Sequence, residues 1–111
     1  MVAGVRVMAI GIALGAASIS AVASSQAGPH QFTVTMSNMN YGTIPTTAKV
    51  GDVITWVNRD TVPHTVTARD KSFDLRVAPG QKAQLKLQKA GTFAIYCIYH
   101  VMMRGTLKVA P

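Results

Sequence analysis

From residue 31 onward, apolar and polar residues alternate with a period of two. In the stretch 31–37, Phe32, Val34 and Met36 share one face, and Thr33 and Thr35 share the other. In 82–87, Ala83, Leu85 and Leu87 are set against Lys82, Gln84 and Lys86. In 92–98, Phe93, Ile95 and Cys97 oppose Ala94 and Tyr96. Successive side chains of an extended strand point to opposite faces, so this period predicts strands with one face against a core. Val53–Val57 is apolar at nearly every position and reads as a central strand covered on both faces. Turn residues punctuate the runs at Tyr41-Gly42, Val50-Gly51-Asp52, Pro79-Gly80 and Ala90-Gly91. No stretch has convincing helical periodicity and no segment repeats. The pattern predicts an all-β domain over 31–111: a small antiparallel Greek-key sandwich or barrel of about six to eight strands.

Residues 1–30 break this pattern. A single charge, Arg6, precedes an apolar run from Val7 to Leu14 that thins into Ala, Gly and Ser. A cationic start, a short apolar centre and a small-residue exit are the layout of a secretory signal peptide. Ala21-Val22-Ala23 predicts cleavage after residue 23, with Ser25-Gln26-Ala27 placing it as late as 27. The run is shorter than the roughly 20 apolar residues of a spanning helix, so no stable membrane insertion is expected after processing. Residues 24–30 read as a flexible N-terminus, and the expected location is the periplasm.

The 111 residues suffice for one domain. Loss of Arg6 with the leader leaves ten Lys and Arg against four Asp and no Glu, a net charge of +6. Charge of this size steers encounters toward acidic surfaces. The cations are scattered rather than gathered in one patch, and the chain is expected to be exported, so nucleic acid is not an expected partner. The single cysteine, Cys97, excludes an internal disulfide. In an exported protein such a thiol is buried and inert, paired with another chain, or committed to chemistry.

Chemistry is indicated by its neighbours. His100 follows Cys97 by three residues, and Met102 and Met103 come next. A second segment, Asn58 to Val66, brings His64 directly after Pro63, which fixes the preceding backbone. One thiolate, two imidazoles and one thioether form a set favoured by copper cycling between its cuprous and cupric states. Zinc more often takes a second Cys or His in place of the thioether. Met103 has the parity of the inward Leu107 and Val109, whereas Met102 has the opposite parity. Met103 is therefore expected as the axial ligand, and Met102 as part of an apolar surface patch with Val101. The expected metal ligands are His64, Cys97, His100 and Met103. His30 reads as a solvated residue, since Pro29 lacks the N–H that an N-terminal copper chelate needs.

These residues resemble a cupredoxin of the amicyanin type. Cys97, His100, Met103, Arg104 and Gly105 fit that group's C-x2-H-x2-M-R-G closure, and Thr55-Trp56-Val57-Asn58-Arg59 leading to Pro63-His64 is similar to the strand and loop bearing its first histidine. Lys49-Val50-Gly51-Asp52 and Ala90-Gly91-Thr92-Phe93 are similar to its strand-entry turns. The resemblance implies a periplasmic type 1 copper protein, not an enzyme, carrying single electrons as a monomer. The implied partners are a c-type cytochrome or a periplasmic dehydrogenase, here with an acidic docking surface. The alternative from another class is a protein that stores or delivers copper. A copper enzyme needs a second metal centre, for which only His30 remains. Two departures carry expectations of their own. Tyr99 and Val101 stand where the group has prolines, predicting a more flexible loop. Thr65 stands where it has asparagine, predicting a weaker tie between the two ligand loops.

Overall fold

A computed structural model describes residues 28–111, and the expected leader lies outside the described residues. Nine strands form two facing sheets: β1 (Gln31–Ser37), β2 (Asn40–Tyr41), β3 (Ala48–Lys49), β4 (Val53–Asn58), β5 (His64–Ala68), β6 (Asp74–Val77), β7 (Lys82–Lys86), β8 (Gly91–Tyr96) and β9 (Arg104–Ala110). One sheet has the order β2-β1-β4-β7 and the other β3-β9-β8-β5-β6. The chain passes repeatedly between the sheets, so the core is filled alternately from both sides. The described residues contain no helix.

The all-β sandwich follows the alternation in the sequence, with two differences. First, the sheets are mixed and not purely antiparallel: β1 pairs with β4, and β3 with β9, in parallel. A parallel neighbour needs a long return connection. The excursion through β2 and β3 supplies it, so β1 and β4 both begin at the same pole. Second, β4 is not covered on both faces. Ile54, Trp56 and Asn58 are buried, while Val53, Thr55 and Val57 are only half-buried. In a two-layer sandwich even a central strand has one outward face, and β-branched residues suit it without needing full burial.

Trp56 anchors the interior, with Val34, Met36, Ile54, Val66, Ile95 and Leu107 around it. Its indole N–H is buried without a partner, which costs about 1–3 kcal/mol. Burying an aromatic ring of about 150–250 Å² at about 25 cal/mol per Å² returns about 4–6 kcal/mol, so the ring stays inside. The Tyr41 ring meets it edge-on, with centroids 5.8 Å apart.

The pole where β1 and β4 start is closed by Asp52. Its buried carboxylate accepts the backbone N–H of His30 at 2.8 Å and of Lys49 at 2.9 Å. Gly51, at φ +98°, allows the chain to turn there. Within the expected N-terminal segment, His30 is thus tethered by its backbone while its side chain stays exposed. Those two backbone donors hold the Asp52 carboxyl below the usual carboxylate range, the His30 N–H foremost. A carboxylate whose pKa is depressed by folding stabilises the protein above its unfolded pKa, and that stability is lost as pH falls through its folded value. Asp52→Ala should therefore lower the thermal midpoint by several degrees at neutral pH. In melting curves taken across pH, its deficit should shrink once pH falls below the ordinary carboxylate range.

Candidate metal centre

Loops at the opposite pole bring three of the four expected ligands together. His64 opens β5, Cys97 follows β8, and His100 lies in the loop between β8 and β9. One donor atom from each lies within 4.8 Å of the other two. His64 and Cys97 are fully buried and His100 is half-buried. Met103 is 1 % exposed and faces the core in register with Leu107 and Val109, whereas Met102 is 80 % exposed. The loop is pinned at its base: Cys97 N–H donates to the Met103 carbonyl at 3.0 Å, and Met103 N–H donates to the His100 carbonyl at 2.8 Å. Gly105 follows because a Cβ there would come within 2.5 Å of Ile44 Cδ1.

His64 is oriented by Asp60, a residue to which the sequence reading gave no role. The Asp60 carboxylate sits 2.7 Å from His64 Nε2. Because a carboxylate only accepts, that nitrogen carries the proton. Nδ1 faces the cluster, 3.9 Å from Cys97 Sγ. Asp60 also accepts the N–H groups of Asn38 and Met39, at 2.8 and 3.0 Å. These two residues form the β1–β2 turn, with φ of +54° and +60°, the left-handed pair that a tight hairpin requires. The donors hold the Asp60 carboxyl below its usual range, Met39 N–H first, then His64, then Asn38. Asn58 shapes the intervening loop: its side chain donates to the carbonyls of Val62 and Val77 and accepts from Asp60 N–H. The sequence clue was an acid four residues before a histidine, in a loop begun by a buried asparagine.

Thr65 ties the two ligand loops through its backbone and its hydroxyl. Its N–H donates to Cys97 Sγ at 3.4 Å, and its Oγ1 accepts Ile98 N–H at 2.9 Å. Its carbonyl accepts the Tyr41 hydroxyl at 2.5 Å. Asp74 can only accept, so Thr67 gives its proton to Asp74 and receives that of Thr65, at 2.8 and 2.9 Å. The Thr65 oxygen thus remains free to accept from Ile98. Burial pushes the Tyr41 hydroxyl well above the usual tyrosine range, and the adjacent Cys97 adds to this.

Tyr99, in the place of a proline, is also tethered. Arg76 Nη1–H donates to its hydroxyl at 2.6 Å, and the Tyr99 ring meets His100 edge-on, centroids 6.4 Å apart. The loop therefore gains through a side-chain bond some of the restraint that prolines would supply. Ile98, Tyr99, Val101 and Met102 leave an exposed apolar surface around His100.

Metal–donor bonds of about 2.0–2.3 Å give donor separations of about 3.5–4 Å in a trigonal site; Cys97 Sγ and His64 Nδ1 lie 3.9 Å apart, and all three donors lie within 4.8 Å of one another. His100 Nε2 is buried with no hydrogen-bond partner. An orphaned ring nitrogen beside a thiol and a second imidazole fits a metal better than a purely structural role. The sequence matches the family model of the cupredoxin-like domain over residues 7–109. The chain belongs to the cupredoxin family. Amicyanin of Paracoccus denitrificans is 31 % identical over 98 residues, which span 83 % of this cupredoxin and 75 % of that protein. Among solved structures, a reduced proline-to-phenylalanine variant of amicyanin is 33 % identical with a TM-score of 0.61, covering 71 % of this chain and 81 % of its own. Amicyanin from Paracoccus versutus is 25 % identical, also at 0.61, covering 71 % of this chain and 80 % of its own. The cofactor of this cupredoxin is one copper ion, and the cluster of His64, Cys97 and His100 fits a type 1 copper site.

Thr65→Val keeps the shape at position 65 but removes the acceptor for Ile98 N–H. Leaving that donor unpaired should cost about 1–3 kcal/mol. Chemical denaturation of the variant and the parent measures the difference, and an unchanged midpoint would show that the tie is made elsewhere.

Proposed function

We propose that this cupredoxin carries single electrons between redox proteins in the periplasm, with copper held by His64 Nδ1, Cys97 Sγ, a ring nitrogen of His100, and Met103. Bound there, copper supplies a one-electron couple between its cuprous and cupric forms. The observation that carries the reading is the convergence of one sulfur and two nitrogen donors in a pocket closed to water on all sides but that of His100. The protein's own work is restraint. Asp60 fixes the His64 tautomer and ring plane, Thr65 N–H accompanies the thiolate, and the Cys97–Met103 backbone pair sets the loop. Donors fixed in this way move little when the charge between them changes, and small rearrangement favours fast electron exchange. Copper storage or delivery needs ligands that an acceptor protein can reach, and two of these three are fully buried. The chain acts as a carrier and not as an enzyme in this reading.

Half-buried His100, within its apolar surface, is the proposed port for electrons. The same pole carries Arg59, Arg76 and Arg104, all exposed. Its one carboxylate, Asp60, is already committed to His64 and two backbone donors. An acidic face on a c-type cytochrome or a dehydrogenase complements this surface, with the carrier acting as a monomer.

Cupric ion added to the protein should give an intense thiolate–copper band in the visible that ascorbate bleaches and reoxidation restores. A colourless product would remove the Cys97 thiolate from the cupric site and, with it, the electron-carrier reading. Met103→Ala should change both the band and the reduction potential, whereas Met102→Ala should change neither; the reverse result would exchange their roles. Raising ionic strength from low to physiological should slow exchange with an acidic partner about tenfold, since steering of this kind is screened over roughly 10 Å. Stopped-flow rates independent of salt would assign docking to the apolar surface alone.

A further inference from the structure

At the pole away from the metal centre the two sheets part. A cleft of about 560 Å³ opens between the end of β7 and the ends of β8 and β9, within the range of small-molecule sites. Its walls are Phe73, Leu85, Leu87, Phe93 and Val109. The Phe73 and Phe93 rings lie 5.7 Å apart at 60° and form one continuous apolar side.

The rest of the lining is cationic or neutral. Lys86 and Lys89 border the cleft, and no carboxylate lines it. The neighbouring acid, Asp70, accepts both the N–H and the hydroxyl of Ser72, and feels the charge of Lys89 only as a lesser, longer-range attraction. Among the described residues, no lysine ammonium lies within 4.0 Å of a carboxylate. Five of the six lysines (Lys49, Lys71, Lys86, Lys89 and Lys108) lie toward this pole, while only Lys82 lies toward the metal centre. An apolar slot with unpaired ammonium groups at its edge selects for a molecule with one greasy end and one negative end. Neither feature is used by the copper site.

We propose that this cleft binds an amphipathic carboxylate, an acyl or aryl chain bearing a single carboxylate group. The chain lies along Phe73 and Phe93, and the carboxylate pairs with Lys86 and Lys89. Charge complementarity separates this ligand from a neutral lipid or alcohol, which would leave both ammonium groups without a contact ion pair. The site stands apart from the metal centre, at the other end of β8, so occupancy leaves the copper chemistry in place.

Sodium decanoate added to the ¹⁵N-labelled, diamagnetic cuprous protein tests the proposal. Saturable amide shifts are expected at Phe73, at residues 85–89, at Phe93 and at Val109, with an unchanged visible band when the same titration is run on the cupric form. The double variant Lys86→Gln/Lys89→Gln should weaken decanoate at least tenfold and decanol far less. The proposal is overturned by the absence of saturable shifts at millimolar decanoate, by equal affinity of the parent for decanol and decanoate, or by shifts confined to residues 98–102. Co-sedimentation with phosphatidylglycerol vesicles but not phosphatidylcholine vesicles, lost in the double variant and unaccompanied by decanoate binding, would also overturn it and assign the pole to a membrane surface.

Discussion

Every donor of the metal cluster is positioned by a group that another element holds, and Thr65 is where most of these restraints meet. Its main chain contacts the Cys97 sulfur on one side and the Tyr41 hydroxyl on the other, while its side chain takes the Ile98 N–H. Remove this residue from the picture and the β5 end bearing His64 keeps only the long contact of His64 Nδ1 with Cys97 Sγ, 3.9 Å, as a link to the loop bearing Cys97 and His100. The donors are therefore brought together by the protein's own hydrogen bonds.

Asp60 performs the matching task from outside. It joins His64 to a turn whose two central residues sit in left-handed backbone conformations, unusual for a methionine. Such residues cost of order 1–3 kcal/mol each unless their surroundings compensate. Two short bonds from the turn to one carboxylate provide that compensation, and the same carboxylate fixes a ligand ring. Turn geometry and ligand orientation are thus one coupled unit, a carboxylate–histidine arrangement of the kind that sets tautomer and basicity at metal sites.

The strands were legible because alternation is enforced by the pleat: Phe93, Ile95 and Cys97 cannot face the core without Ala94 and Tyr96 facing away. The same logic separated Met103 from Met102, since parity in β9 continues back across Arg104. The parallel pairing of β1 with β4 was not legible, because it depends on where a long excursion returns and not on any local pattern. Full coverage of β4 was misjudged for a related reason: an apolar run reports what a strand tolerates, while the number of layers decides what is covered. Asp60 lies only four residues before His64, but its role as an orienting group also rests on Asn38 and Met39, and that of Arg76 on Tyr99, partners that are distant in sequence. At position 65 a hydroxyl and a backbone N–H together make contacts that side-chain identity alone does not suggest.

The closed character of the cluster also protects its thiol. With His64 and Cys97 shut inside, the only partly exposed member of the cluster is the ring of His100. The segment from Ile98 to Met102 covers the buried donors and is held by few bonds: Ile98 to Thr65, His100 to Cys97, Met103 to the His100 carbonyl, and the Arg76–Tyr99 clasp. That segment is a hatch on an otherwise sealed vessel. While it is shut, the Cys97 thiol is fully buried and shielded from oxidants in solution.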